Sequence, residues 1–288
     1  MKNVTINGQK ADIILESETT LGEVMSGLDE WLQGSGQYLS GLSVDGKSYG
    51  SASLDEAFTL PLSGIETLDV ITSSWTQLMF DLLGELRHNL ERYDNAPEAE
   101  QKAFRENWEK SAASSFLGKN DPYLHGAVLK VLSGAASPLL PLIDERIREI
   151  RDPSREAANL NPLIIEIAGR MEDLNLDVQT GKDARAAETI TLFSGLTEKI
   201  YRMLFIFKQY GCDTETPVLP RPDGIEGQVK LRAYMDEFGA ALRELVNAYE
   251  NRDIVLAGDL AEYELAPRIT ALGQALMSFK AGGEETPR

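Results

Sequence analysis

Over residues 161–210, apolar side chains recur every three or four positions in two series separated by a short polar break. Leu163, Ile167, Met171, Leu174 and Val178 form the first series; Ile190, Phe193, Leu196, Ile200, Met203 and Phe207 form the second. Such spacing puts each series on one face of an α-helix. The break, Gln179-Thr180-Gly181-Lys182-Asp183, is short enough to force a reversal, so the stretch reads as an αα-hairpin. Nothing in it is chemistry; it dictates architecture.

The same period runs from Trp75 almost to the end of the chain. Met79, Leu82, Leu83, Leu86, Leu90 and Tyr93 line one helix face, which breaks at Asp94-Asn95-Ala96-Pro97. Phe104, Trp108, Ala112 and Phe116, four apart, read as a single following helix. Asp121-Pro122, Ser137-Pro138 and Asn161-Pro162 each place a capping side chain before a proline at the first helical position, where its missing N–H costs nothing. They predict helices near 122–133, 138–151 and 162–178.

Gly211 to Gly227, with Pro217, Pro220 and Pro222, is the longest irregular stretch and reads as a surface loop or crossover. Beyond it, Leu231, Met235, Phe238, Leu242, Leu245 and Tyr249 predict another helix, a turn at Glu250-Asn251-Arg252-Asp253, and Asp253 as the next cap. The last helix carries Leu256, Leu260, Tyr263, Leu272, Leu276 and Phe279. Pro267 should kink it by leaving the Tyr263 carbonyl without a donor. Hairpins turning near 94–97, 179–183 and 250–253 favour an antiparallel helical bundle over 75–281, followed by a disordered polar tail, 282–288.

The first quarter has a different period. Strand-like runs at 2–7 and 11–16 flank Gly8-Gln9-Lys10. Thr20 with Glu23 three residues later has capping-box spacing. Leu21, Val24, Met25, Leu28, Trp31 and Leu32 then give a helical face. Leu39 to Tyr49 returns to strand around Asp45-Gly46, a hairpin dipeptide. Leu54 to Phe58 suggests a helical turn and Thr67 to Thr72 a last strand.

This order of hairpin, helix, strands, short turn and final strand resembles the ubiquitin-like β-grasp fold over residues 1–73. Carrier members of that family end in a flexible Gly-Gly; here the last strand runs into Ser73-Ser74-Trp75, so carrier chemistry is not implied. The resemblance implies a docking module that presents a sheet face or edge. The expected fold class is therefore α+β, a small β-grasp-like domain followed by a helical bundle.

Lys and Arg number 28 against 46 Asp and Glu, a net charge of −18, and this first quarter alone has three lysines against eleven carboxylates. Such acidity argues against nucleic acid and anionic lipid, and favours solubility or a basic protein partner. One cysteine, Cys212, leaves no internal disulfide and no cysteine metal cluster. No apolar run is long enough to span a bilayer and no leader pattern opens the chain, so a cytoplasmic protein is expected.

Catalytic residues are not evident. His88 and His125 are the only histidines, and His88 lies outside the apolar series of its helix, as an exposed side chain would. No zinc-protease, nucleophile-elbow or phosphate-loop motif occurs. Asp259, Glu262 and Glu264 lack the Glu-x-x-His partners of a carboxylate-bridged metal bundle and read as a solvated face. No metal or cofactor is implied.

Two stretches combine features suited to docking. Glu262-Tyr263-Glu264-Leu265-Ala266-Pro267-Arg268 mixes a phenol, both charges and a proline within one turn. The plain reading packs Tyr263 and Leu265 and pairs Arg268 with Glu264; the functional one is a docking notch at Tyr263, Glu264 and Arg268. Thr216 to Pro222 has polyproline character around Val218-Leu219, and either straps the bundle or is presented to a partner.

The expected function is non-catalytic protein binding, as an adaptor, scaffold or chaperone, through the β-grasp sheet or a bundle groove. In composition and hairpins the helical part is similar to the flagellar export chaperones. An enzyme or a small-ligand or metal binder using the bundle core is the rival class and would need polar groups converging inside. A self-assembling homo-oligomeric component is the third.

Overall fold

Local signals set the first elements of the computed structural model, which describes residues 3–11, 17–50, 53–132, 134, 137–221 and 227–281. Expectations for 12–16, for Pro222 and for the tail at 282–288 lie outside these residues. Two compact units divide the chain, the first ending at Ile147 and the second beginning at Arg148.

In the first unit, β1 (Asn3–Ile6) turns through Asn7 and Gly8, both at positive φ, into β2 (Gln9–Lys10). The capping box then starts α1 (Leu21–Gly34): the Thr20 hydroxyl accepts from the Glu23 amide while the Glu23 carboxylate accepts from the Thr20 amide. β3 (Gln37–Val44) and β4 (Lys47–Gly50) form a hairpin whose turn puts Asp45 and Gly46 at φ 50° and 83°. A short α2 (Leu54–Phe58) precedes β5 (Thr67–Ser74).

The five strands make one mixed sheet in the order β2-β1-β5-β3-β4, with β1 parallel to β5 and the other pairs antiparallel. Val4, Leu42, Leu68 and Val70 from the sheet close on Leu21, Val24 and Met25 of α1. Trp31 stands outside this core, 60 % exposed, although the helical spacing groups it with those residues.

Asp45 does more than turn the hairpin. Its carboxylate accepts from the backbone amides of Thr67 (2.7 Å) and Glu66 (3.0 Å), fastening the turn to the start of β5. Those bonds, the Thr67 amide first, hold its pKa below the ordinary value. A lowered folded-state pKa contributes stability above the unfolded value and loses it as pH falls through the folded one. Asp45→Asn keeps the turn but removes this titration, so the acid-side fall in melting temperature should be shallower in the variant below about pH 4. Superimposable melting curves down to pH 2 would contradict this role.

β5 passes directly into α3 (Trp75–Tyr93), with the Ser74 hydroxyl accepting from the Gln77 amide. All six apolar residues of the α3 stripe are buried. The helix expected across Phe104 to Phe116 is two, α4 (Glu98–Lys110) and α5 (Ala112–Asn120). Ser111 breaks it by going extended and using its hydroxyl to cap the Ser114 amide, a local alternative to the helical bond. Asp121 caps α6 (Pro122–Val131) as expected. A 3-10 turn at Ser137–Leu139 then leads into α7 (Leu140–Arg151), which crosses the unit boundary.

In the second unit, α8 spans Pro153–Glu172, so Asn161-Pro162 does not start it. Asp152-Pro153 carries the same cap-and-proline pattern and acts first: the Asp152 carboxylate accepts from the Arg155 amide. Pro162 lies inside the helix on an exposed face, where the amide it lacks for the Ala158 carbonyl can be replaced by water. The buried face uses Leu160 and Ile164 and leaves Leu163 38 % exposed. After a break at Asp173 come α9 (Leu174–Gln179) and the long α10 (Asp183–Gln209).

The proline-rich stretch is not wholly irregular, and the part beyond Trp75 is therefore not entirely helical. β6 (Val218–Pro220) pairs antiparallel with β7 (Gln228–Lys230), and Leu219 is buried while Val218 faces solvent. The ribbon leads into α11 (Leu231–Glu250), α12 (Ile254–Asp259), a π-helical turn at Leu260–Leu265 and α13 (Ala266–Ser278). Pro267 is accommodated by that wider turn, which resets the bonding register before the proline enters the first turn of α13. α8 packs against α10 and α13. Gly273 permits the latter approach, since a Cβ there would stand 2.6 Å from Ile164 Cδ1.

Candidate partner-binding groove

One end of the helical unit is shaped by three short-range devices. Gly181, at φ 73°, turns the chain between α9 and α10, a conformation natural to glycine. Asp177, 1 % exposed, draws in Lys182 Nζ at 3.4 Å and Arg185 Nε at 3.2 Å. Arg185 also reaches Asp173 at 3.6 Å. On the neighbouring hairpin, Arg252 at φ 59° reverses the chain after α11, and Asp253 caps α12 through the Leu256 amide at 3.1 Å.

α12 and α9 then lie against each other across Gly258. A Cβ at that position would sit 2.7 Å from both Cβ and Cγ of Asn175, so only glycine allows this approach.

Between these elements opens a groove of about 350 Å3. Leu174 and Val178 of α9, Ala186 of α10, and Ile254 and Ala257 of α12 give it apolar walls, while Asp183, Glu250 and Arg252 stand on its rim. Tyr249, a further wall residue, is 55 % exposed and Ile254 48 %. Val246, one turn before Tyr249, is also exposed, as is Val255 beside Ile254. Such grouped exposure of large apolar side chains marks an interaction surface more often than an inert one.

The rim carries a sign. Lys182 and Arg185 pair with Asp173 and Asp177, which leaves Asp183 and Glu250 against Arg252. The groove is therefore apolar within and acidic around. Asp177→Asn should cost about 1–3 kcal/mol, because it leaves buried polar atoms without their charged partners. It should also speed hydrogen exchange at the Lys182 amide, which bonds the Asp177 carbonyl at 2.8 Å. Unchanged exchange would sink the idea that this carboxylate holds the turn.

The residues expected to dock a partner lie elsewhere. Tyr263 is exposed on the π-helical turn, but Arg268 is buried and ion-paired with Glu264, the pairing anticipated as the plain reading. Arg268 also lies 4.0 Å from Glu237, and its Nε has no hydrogen-bond partner among the described residues. Tyr263 does not pack; a bond to the Glu262 carboxylate raises its pKa above the ordinary value. Leu219 straps the bundle and Val218 is exposed.

A serine–histidine pair also occurs, with Ser114 Oγ 2.9 Å from His125 Nε2. The serine is 3 % exposed, and the pair ties α5 to α6 where Gly118 lets the imidazole approach. Among the described residues, no group of three or more His, Cys, Asp and Glu converges to hold a metal ion. Among them also, no helix is long and apolar enough to cross a membrane.

Comparison with known proteins adds relatives without a described activity. Residues 2–74 match the family model of the TP0873 N-terminal domain, and residues 157–275 match a domain of unknown function, DUF8042. The groove residues fall within the second match. An uncharacterised protein of Treponema pallidum (strain Nichols) is 22 % identical over 281 residues, covering 97 % of this chain and 98 % of that one. That alignment spans both matched regions of this chain. No solved structure matches.

Sequence reasoning missed the groove for a definable reason. Spacing in the sequence predicts the α11 face as Leu231, Met235, Phe238, Leu242, Leu245 and Tyr249. The buried residues are Leu231, Tyr234, Phe238, Ala241, Leu245 and Ala248, with Met235 and Leu242 half-buried and Tyr249 outside. Ala241 and Ala248 are small enough for close packing, and they rotate the helix so that Tyr249 turns outward. The available signal was Ile254-Val255-Leu256: three consecutive apolar residues cannot all face one side of a helix.

Proposed function

We propose that this is a non-catalytic protein-binding chain, an adaptor or chaperone, whose helical unit receives an amphipathic helix of a partner protein. The apolar groove between α9, α10, α11 and α12 carries the reading. Helix-in-groove recognition needs an apolar trough to take residues spaced three and four apart. The acidic rim favours a partner helix with lysine or arginine beside its apolar stripe, since opposite charges steer association and set its register. The occupant is thus a basic amphipathic helix. The likeness to flagellar export chaperones in composition and hairpins agrees with a client of this kind.

The N-terminal sheet belongs to the same proposal as a ubiquitin-like β-grasp module. The β2-β1-β5-β3-β4 order, with β1 parallel to β5 and α1 across one face, supports that assignment. Its role in the proposal is a second docking surface, without carrier chemistry.

The test is site-specific photo-cross-linking in the native cell, with a photoreactive phenylalanine in place of Tyr249 and, as control, in place of the exposed Tyr123 on α6. Position 249 should give one dominant adduct, mapping to a segment with apolar residues at helical spacing and flanking Lys or Arg. The control should not give it. No adduct at 249, or the same adducts from both positions, would refute the groove as the docking site.

A further inference from the structure

The first unit holds a separate cavity of about 570 Å3 between α1, β3, α3 and α5, within the roughly 300–1,000 Å3 usual for small-molecule sites. Its walls are apolar and aromatic, with Phe58, Phe116 and Tyr38 among them. The last two rings meet edge-to-face at 5.8 Å. Two carboxylates line it from different helices, Asp29 on α1 and Asp81 on α3.

Each carboxylate takes one amide hydrogen bond among the described residues, Asp29 from Gln33 and Asp81 from Gln77 at 2.8 Å, leaving each with an unengaged oxygen. The cation facing them, Lys119, is exposed and held at 3.1 Å on the Gln33 amide oxygen. Burial first, and the Asp29 charge second, raise the Tyr38 pKa, so the negative field reaches the aromatic wall.

The sheet bends to make this wall. Leu39 pairs with Thr72 and Gly41 with Ile71, so Ser40 is an extra residue, a bulge that turns it towards the cavity. Gly41 beside it leaves room for a close strand approach, since a Cβ there would sit 3.0 Å from the Tyr49 carbonyl oxygen.

We propose that this cavity binds an alkyl di- or polyamine. Aromatic faces and carboxylates together are what an organic ammonium selects, through cation–π attraction and charge-assisted hydrogen bonds. Apolar walls suit the methylene chain between ammonium groups, and two carboxylates on separate helices suit two such groups. The net negative charge of the lining, two carboxylates against one lysine, disfavours anionic ligands.

Calorimetric titration of spermidine into the full-length chain at moderate salt tests this. One saturable site per chain is expected, weakened at least tenfold by Asp29→Asn with Asp81→Asn, and absent for the fully N-acetylated, uncharged analogue. Should the double variant melt early, Asp81→Asn alone, at an exposed position, carries the test with a several-fold loss. No binding, or many weak equivalents that the variants leave unchanged, would overturn the proposal; the latter is ordinary counterion association with a chain of net charge −18. The cavity lies in the N-terminal unit, so either result leaves the helical groove untouched.

Discussion

A Phe238→Ala chain is expected to lose about 3–5 kcal/mol of stability, the cost of emptying a large aromatic site in a packed core. Phe238 is fully buried on α11, edge-on to Phe193 at 6.1 Å and stacked on Tyr201 at 6.4 Å. Those rings join α11 to the long α10, so the cavity would open where the two helices meet. Domains of this kind are stable by about 5–15 kcal/mol, and the loss would remove a large part of that. Phe238→Leu, which keeps much of the volume, should cost under about 1.5 kcal/mol. Urea unfolding of both variants checks the pair. A loss below 1 kcal/mol for the alanine variant would mean that the α10–α11 contact is not packed as described.

Glu149→Ala should be almost as damaging for a different reason, at about 3–5 kcal/mol. The Glu149 carboxylate is fully buried near the end of α7. It accepts from Arg202 Nε at 2.8 Å and Nη2 at 3.0 Å, with Lys199 at 3.4 Å. A buried carboxylate persists because a two-pronged guanidinium and an ammonium replace its water. Alanine would take the buried partner from two cations that are less than a fifth exposed, although Arg202 keeps its pairing with Glu198 at 3.1 Å. The Tyr210 hydroxyl, donating to the Ile150 carbonyl at 2.6 Å, would still tie α7 to α10. The expected defect is therefore lowered stability with helix content retained below the transition, read by circular dichroism during urea unfolding. Glu149→Gln should lose less than alanine. A cost near the roughly 0.5 kcal/mol of an ordinary surface substitution would show that the ion cluster contributes little.

What could be read from the letters was what neighbours along the chain decide. The Thr20–Glu23 box, the Asp45-Gly46 turn, and the caps at Asp121 and Asp253 involve groups a few residues apart, and each is formed. The α3 stripe was legible because every member is large and buried. Choices between competing local signals were less so. Asp152-Pro153 and Asn161-Pro162 carry the same pattern, and only packing of Ala157 and Leu160 into the core says that the earlier one starts the helix.

The groove was the least legible because it depends on distant pairs. Gly258 of α12 meets Asn175 of α9 from far along the chain, and spacing says nothing of that approach. The outward rotation of Tyr249 follows from small alanines on the opposite side of α11. The π-helical turn likewise settles Pro267 in a way that the i→i−4 pattern does not foresee. Tyr263 and Glu264 stand on the π-helical turn, and Arg268, expected beside them, is buried and ion-paired with Glu264.

The central claim is that a protein partner occupies the groove on the helical unit. It is tested most directly by quantitative affinity capture of the tagged full-length protein from its native lysate. The capture would run beside a variant carrying Tyr249→Ala, Ile254→Asp and Val255→Asp. All three side chains are about half exposed or more, so the variant should fold and melt like the parent. The account predicts one partner near equimolar with the parent chain, reduced at least tenfold in the variant, and containing a basic amphipathic helix. A partner retained equally by both chains, or no stoichiometric partner for the parent chain, would contradict it.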